Sequence, residues 1–583
     1  MLIVKGLLVL VAFNLINVQS YLINRISVQT FDTNSKYGSI KRNQYRSKSS
    51  LQMVSTNIKI VEPLGKVLKE DIKRKLPYYL SDFKDGLKIK SLSSTFFLFF
   101  ACLAPAVAFG GLLATVTSGA MGTTEAIGAT AIGGILYSLF SGQPIVIIGT
   151  TGPLLAFLKA LHDTCVRQGL PFLPVYAWVG LWSSLMLFLS SLFSTSNIVE
   201  YLTKFTDDIF STLISCIFLF EAFKGIMHGF NSPIVKGLHL GGLHAMVSLV
   251  VAFITYFTAT KLSSLRKSQF FPRKIRGLIS DFAPTLGVVA GIKAAKAAMS
   301  KYNIALPMLA VPEVFGTTTG RPWLVDIFAV DNSVKLLTVF PAMMAFVLLF
   351  MDQTITVRLI KAKKNKLKKG SGMHLDMLVI SVVTAITSLL GMPWMVAATV
   401  RSLAHLRSLN EYKSITEPPL SNKYYELASS NPDALDSSIL EVTGVTEQRL
   451  TGLMIHSLIG ISLLSCRGIL RQIPLSVISG LFLYLGASSI NQTDLYERTK
   501  LFITDSKDVP KNSNWFKQVD LNRTKLYTSI QLFFLSLMWW VKGTKLGIFF
   551  PVLIGLLGPV REYLGKYEIF TKKELNALDG DIE

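Results

Sequence analysis

Gly142-Gln143-Pro144-Ile145-Val146-Ile147-Ile148-Gly149-Thr150 and Gly391-Met392-Pro393-Trp394-Met395-Val396-Ala397-Ala398-Thr399 break two apolar stretches in the same way, with Gly, then Pro two residues on, then Thr eight residues on. Glycine and proline both end helices, one for want of a Cβ and the other for want of an amide proton. Inside lipid such a break leaves backbone groups unpaired at a cost of several kcal/mol each, so it survives only where it lines a cavity within protein. A paired interruption in the two halves of a chain marks the substrate site of an inverted-repeat transporter. The competing reading is two kinked spans that agree by chance, since both residue types are common in membrane helices.

Working outward, the 583 residues are 50% hydrophobic and only 16% charged, with a mean hydropathy of +0.46, the composition of a polytopic membrane protein. Apolar runs recur from Ser93–Leu113 to Gly547–Leu557. With the long runs split at Pro144 and Pro393, they amount to about fourteen spans of roughly 20 residues or less. The two glycines stand 249 residues apart (391 − 142), and segments 93–293 and 334–557 are of similar length. The simplest fit is an all-α fold of seven plus seven spans, inverted. In it, spans 3 and 10 are each a short strand followed by a half-helix, and the two helix N-termini point at each other near the midplane.

A net charge of +23 would suggest nucleic acid in a soluble protein, but here the basic residues sit between spans. Clusters at Lys66, Lys69, Lys73, Arg74 and Lys75, at Arg266, Lys267, Arg273, Lys274 and Arg276, and at Lys361 to Lys369 share one side by the positive-inside rule. Both termini fall on that side. Cys102, Cys165, Cys216 and Cys466 form neither a disulfide framework nor a metal-ligand spacing. No nucleophile with a partner, phosphate loop or dinucleotide fingerprint is present, so neither an enzyme nor a resident cofactor is expected.

Residues 1–20 read as a signal peptide. Residues 21–56, with six Lys/Arg, seven serines and the single acid Asp32, have transit-peptide composition. That order resembles the bipartite presequences of algal plastid proteins and points to a plastid envelope; a secretory signal before a basic tail would instead leave the protein in the plasma membrane. Residues 57–92 read as an amphipathic segment on the lipid surface, 294–333 as the connection between repeats, 410–446 as a solvated insertion and 558–583 as a C-terminal tail. Glu125 is expected to be exposed beside a short loop, and Glu221 to lie at a span end.

Several long motifs resemble the bicarbonate transporters, the family of the red-cell anion exchanger and the sodium-coupled bicarbonate cotransporters. They include DIKRKLPYYLSDF (71–83), FFACLAPAVAFGGLL (99–113), YSLFSGQPIVIIGTTGP (137–153), FMDQTIT (350–356), KLKKGSGMHLDML (366–378), GMPWMVAATVRSLAH (391–405), EQRLTGLMI (447–455), IPLSVISGLFLYLGASSI (473–490) and TKKELNALD (571–579). The resemblance implies fourteen spans in a core domain (spans 1–4 and 8–11) and a gate domain (spans 5–7 and 12–14), and a homodimer through the gate; the chain is expected to depart from the animal members at its N-terminus, without their large cytoplasmic domain.

Three elements form the expected site. Thr150, Thr151 and Gly152 with Ala398 and Thr399 begin the two half-helices, whose free N–H groups and dipoles suit an anion; capping is the other role of these threonines. Asp352, an acid inside an apolar run, carries an ion-pathway reading by default, and Thr356 lies one helical turn on. With Thr399 these hard oxygens suit Na⁺, and Asp352 with Thr356 resembles the sodium-coupled members. Arg401 instead resembles the chloride/bicarbonate exchangers. If Arg401 neutralises Asp352, one monovalent anion suffices; if it contacts the anion, Asp352 is free for Na⁺. The expected function is bicarbonate or carbonate transport coupled to sodium, with chloride exchange as the alternative, then borate export, and a channel as the rival class.

Overall fold

The computed structural model describes residues 65–579 apart from 194–202, 232–240, 415–439, 505–518 and short breaks at 266–267, 269, 273–274, 277–278, 281, 310, 312–314, 363–364, 466, 492 and 545–546. The signal and transit readings of residues 1–56 lie outside the described residues, as do Cys466 and Arg266, Lys267, Arg273 and Lys274 of the basic loop.

The chain is mostly helical. A short helix α1 (Lys66–Lys75) precedes α2 (Ile89–Val116), α3 (Thr123–Phe140), α4 (Gly152–Gln168), α5 (Phe172–Leu192), α6 (Lys204–Asn231), α7 (Gly241–Ser264) and α8 (Ala283–Tyr302). After a long connection come α9 (Val339–Lys361), α10 (Met373–Leu389), α11 (Thr399–Leu409), α12 (Leu450–Ser465), α13 (Leu475–Ile490), α14 (Leu521–Gly543), α15 (Phe550–Lys566) and α16 (Lys572–Asp579). Among the described residues, five stretches are long and apolar enough to cross a membrane: Ile89–Val116, Phe172–Leu192, Lys204–Met227, Gly242–Ser264 and Asn332–Lys361. Met373–Leu389, Leu450–Ser465 and Leu475–Ile490 are shorter apolar helices.

Two small sheets qualify the all-α expectation. Strands β1 (Ile148–Gly149) and β2 (Val396–Ala397) pair antiparallel, Ile148 opposite Ala397 and Gly149 opposite Val396. The Gly-x-Pro break stops each preceding helix, and in the first half the β-branched run Ile145–Ile148 favours the extended backbone that follows. Strands β3 (Asn410–Ser414) and β4 (Leu440–Val445) form a second antiparallel pair, so the polar insertion at 410–446 is anchored by a ladder at its two ends.

Packing follows a matched pattern when α2 to α8 are set in order against α9 to α15. The α5–α9 contact has its counterpart in α12–α2, α5–α10 in α12–α3, α4–α9 in α11–α2, and α7–α13 in α14–α6. Most of the packing falls within two groups, α2–α5 with α9–α12 and α6–α8 with α13–α15.

At the basic end a charged network gathers three of the sequence motifs. Asp82 accepts from Arg449 Nε at 3.0 Å and Lys369 Nζ at 2.7 Å, Lys369 also reaches Asp85 at 2.8 Å, and Asp71 accepts the His374 N–H at 3.0 Å. Burial works against the charge on Lys369, but its hydrogen bonds to Asp82 and Asp85 outweigh that and raise its pKa above the ordinary lysine value.

One acid lies elsewhere than expected. Glu125 is fully buried: its carboxylate accepts the Gly122 N–H at 2.9 Å and the Thr318 N–H at 2.8 Å, and it contacts the Thr318 hydroxyl. Such a set of donors makes burial of a carboxylate tolerable. Glu221 is buried on α6, six residues before the end of the candidate span Lys204–Met227.

Candidate functional site

Strands β1 and β2 bring the two breaks together, and the Ala398 N–H extends the ladder to Ile147 O at 2.8 Å. Beyond them α4 begins at Gly152 behind an extended Thr151, and α11 begins at Thr399 behind an extended Ala398. Neither start carries a side-chain cap, so the hydroxyls do not serve the capping role. The first N–H groups of each helix keep their positive end of the dipole, equivalent to about half a charge.

The threonines are used otherwise. Thr151 Oγ1 donates to Asp352 Oδ2 at 2.7 Å, and the hydroxyls of Thr356 and Thr399 lie 2.7 Å apart. Thr150 Oγ1 is buried without a partner. Asp352 and Thr356, one turn apart on α9, are both buried, and together with Thr151 and Thr399 they place a carboxylate and three hydroxyls at the joint of α4, α9 and α11.

Arg401 is directed elsewhere. Its Nη2 donates to Thr150 O at 3.1 Å and its guanidinium lies against the Cys102 thiol on α2. No ion pair joins Arg401 to Asp352 among the described residues. The two charges address adjacent residues of one turn: Asp352 takes the Thr151 hydroxyl and Arg401 the Thr150 carbonyl. Gly149 has to be small here, since a Cβ on it would stand 2.5 Å from the Arg401 guanidinium.

Several residues that the sequence reading passed over hold this arrangement. Gln353 accepts the Ala397 N–H at 3.0 Å and donates to Tyr137 Oη at 2.9 Å. Asp376 Oδ1 accepts the N–H groups of Gly142 at 2.9 Å and Gln143 at 3.0 Å. Ser402 binds both backbone groups of Ile147, and His405 contacts Ile145 O at 2.6 Å. Arg449 donates to Ser138 O and Ser141 O, at the end of α3, and Arg321 to Leu390 O and Gly391 O, at the end of α10. Each arginine thus satisfies the orphan carbonyls of the helix that precedes a break. The available signal was the polar residue inside an apolar run, which Gln353 and Asp376 share with Asp352.

Residues 63–244 and 239–583 match the model of the HCO3- transporter integral membrane domain. Anion exchange protein 3 of Danio rerio is 34% identical over 546 residues, 89% of this chain and 44% of that protein. The human sodium-driven chloride bicarbonate exchanger is 33% identical, covering 87% of this chain and 49% of its own length, and the band 3 anion transport protein of Rattus norvegicus is 33% identical, covering 88% and 55%. The chain therefore spans about half the length of the curated relatives it matches. Among solved structures, the transmembrane domain of the cyanobacterial bicarbonate transporter BicA shares the fold at a TM-score of 0.53 and 15% identity, over 78% of this chain and 96% of that one. The inward-facing murine Solute Carrier 26 family member A9 does so at a TM-score of 0.54 and 12% identity, over 91% and 77%. With its matched helix packing, its paired breaks and these relatives, the chain belongs to the HCO3- transporter family, integral membrane transporters and not enzymes.

Proposed function

We propose that this chain is a secondary active transporter that moves bicarbonate or carbonate together with Na⁺. The observation that carries the reading is the separation of Asp352 from Arg401. Were the two paired, the site would hold one monovalent anion and need no cation. With Arg401 on Thr150 O and Asp352 on the Thr151 hydroxyl, each charge is left to an ion of its own. The anion takes Arg401 and the positive ends of α4 and α11, at Thr150, Thr151, Gly152, Ala398 and Thr399. The cation takes Asp352, Thr356 and Thr399. Chloride/bicarbonate exchange is the second reading, favoured by the presence of Arg401 itself.

Every one of these residues lies in the group α2–α5 with α9–α12, so displacement of that group against the other carries the whole site. The matched packing supports fourteen spans in an inverted seven-plus-seven repeat, with those groups as core and gate and the starts of α4 and α11 as the half-helices of spans 3 and 10. A homodimer through the gate and a plastid envelope location complete the proposal. A fluorescent protein fused after residues 1–60 checks the location, and label at the cell surface would contradict it.

The test of coupling is uptake of labelled bicarbonate into vesicles, with and without a sodium gradient and with chloride replaced by gluconate. Sodium-stimulated uptake that survives the chloride replacement is expected. Uptake indifferent to sodium and lost without chloride on the opposite side would establish exchange instead.

A further inference from the structure

The stretches 303–331 and 466–474 each cross from one helix group to the other, the first from α8 to α9 and the second from α12 to α13. They are fastened together. The Leu309 N–H donates to Ile473 O at 2.8 Å and the Leu475 N–H to Pro307 O at 2.9 Å, so Met308 and Pro474 face each other in an isolated antiparallel bridge. They are the pair between the two hydrogen bonds, where neither residue's own N–H enters the ladder, and a proline fits there without loss. The bridge is mounted on the group α6–α8 with α13–α15. Pro474 immediately precedes α13, Met308 lies six positions past the end of α8 (308 − 302), and Lys296 on α8 donates to the Gln472 side chain at 2.5 Å.

The other group meets this bridge at a glycine. A Cβ on Gly111 of α2 would stand 2.8 Å from Leu309 Cδ1 and 3.8 Å from Leu475 Cδ2, and Leu309 is buried. The preceding Gly110 serves a different neighbour, because a Cβ there would fall 2.5 Å from Thr123 Cα of α3, within its own group. Gly111 lies 22 positions along α2 from Ile89 (111 − 89), about 33 Å of helix away from the basic end. We propose that Leu309 seated at Gly111 is a latch between the two groups, closed in this structure, and that the bridge is the fixed mount that carries it. This rests on the reading above that the two groups are displaced against each other, and not on the identity of the ion. One turn away on either side, Val107, Ala108, Ala114 and Thr115 all carry a Cβ, so α2 offers Leu309 no second seat of that depth. Displacement of α2 past the bridge therefore has to open the latch, and its closure holds this end of the molecule in one of the two states.

Paired cysteines test the latch in the full chain, in a background of Cys466→Ser because that thiol belongs to the second connection. Met308→Cys with Pro474→Cys joins the two sides of the mount, a kind of pair whose Cα atoms stand about 4.5 Å apart, within disulfide reach. Gly111→Cys with Leu309→Cys joins the latch to its seat. Oxidised 308–474 should keep its uptake of labelled bicarbonate into vesicles, since the mount moves as one body. Oxidised 111–309 should lose uptake and regain it on reduction. With a maleimide present beside the oxidant, a share of the 111–309 molecules should be capped as the latch opens, while 308–474 crosslinks throughout. Leu309→Ala, which empties the seat without adding bulk, should speed amide hydrogen exchange over Gly111–Val116 and leave the Leu475 amide protected. Full uptake with 111–309 crosslinked, equal capping of the two pairs, loss of uptake on crosslinking 308–474, or unchanged exchange in Leu309→Ala overturns the proposal. Absence of bicarbonate uptake by the parent protein would overturn the substrate reading instead, and the capping and exchange comparisons, which need no substrate, would still decide the latch.

Discussion

The two breaks share a backbone path and are held in place by different balances of polar and aromatic contacts. The first, from Gly142 to Thr151, is gripped by polar side chains from the second half of the chain: Asp376 on Gly142 and Gln143, His405 on Ile145, Ser402 on Ile147 and Arg401 on Thr150. The second, from Gly391 to Ala398, is held at its two ends by Arg321 on Gly391 O and Gln353 on the Ala397 N–H, and between them it is wedged by aromatic packing. Trp394 is fully buried, stacks on Tyr176 at 4.7 Å and meets Phe157 at 6.0 Å, while Tyr176 Oη donates to Met392 O and Trp394 Nε1 to Ser388 Oγ at 2.8 Å. A repeat supplies the same crossing twice, and the side chains then divide the labour. The polar grip surrounds the turn that we propose carries the ion chemistry, and the aromatic wedge packs the other break.

That contrast makes the two breaks respond differently to substitution. The largest expected effect is at the polar grip. Arg401→Gln removes the charged donor to Thr150 O, and loss of one preorganised donor of this kind typically costs a hundredfold or more in rate, about 10²–10³. Bicarbonate uptake should fall to that extent with the melting temperature nearly unchanged; equal loss of both would make the arginine merely structural. Next comes the wedge. Trp394→Ala should cost about 3–5 kcal/mol of stability, seen as a lower melting temperature, while the folded fraction keeps the substrate concentration for half-maximal uptake. A shifted half-maximal concentration there would erase the division of labour.

Smaller changes probe the same contrast. Gly149→Ala puts a methyl 2.5 Å from the Arg401 guanidinium, and relief of overpacking of about 1–3 kcal/mol should push the arginine off Thr150 O. The half-maximal bicarbonate concentration should then rise several-fold, and an unchanged value would mean the arginine does not meet the anion. The smallest effect lies away from both breaks, at α16. There the Arg523 hydrogen bond, opposed by partial burial, holds Glu574 down to about 2. A lowered carboxyl pKa stabilises above the ordinary glutamate range and loses that contribution as pH falls from about 4.5 through about 2. Glu574→Gln should lower the melting temperature slightly at pH 7, as expected of a partly exposed pair worth about 1 kcal/mol or less, and the difference should vanish near pH 2.

Much of this was legible beforehand, and the reasons differ by element. Gly and Pro at fixed spacing locate both breaks because they act on the backbone alone. Asp352 stands out because an acid in an apolar run has few structural excuses. The division between grip and wedge was not legible, since it depends on which distant side chains meet the breaks: Asp376 lies 234 positions from Gly142, and His405 260 from Ile145. Glu125 reads as exposed from its neighbours and is buried because Thr318, 193 positions on, supplies its donors. Whether Arg401 pairs with Asp352 was equally beyond spacing. The two residues sit on different helices, α11 and α9, and only the fold aims the guanidinium at Thr150 and away from the carboxylate.

What most needs testing is whether Asp352 holds a cation of its own. The direct measurement is sodium-dependent uptake of labelled bicarbonate by Asp352→Asn in vesicles, beside the parent protein, with folding checked by melting temperature. The expected result is a folded protein whose uptake no longer responds to a sodium gradient. A variant that keeps the parent protein's sodium response would place the cation elsewhere and contradict the assignment.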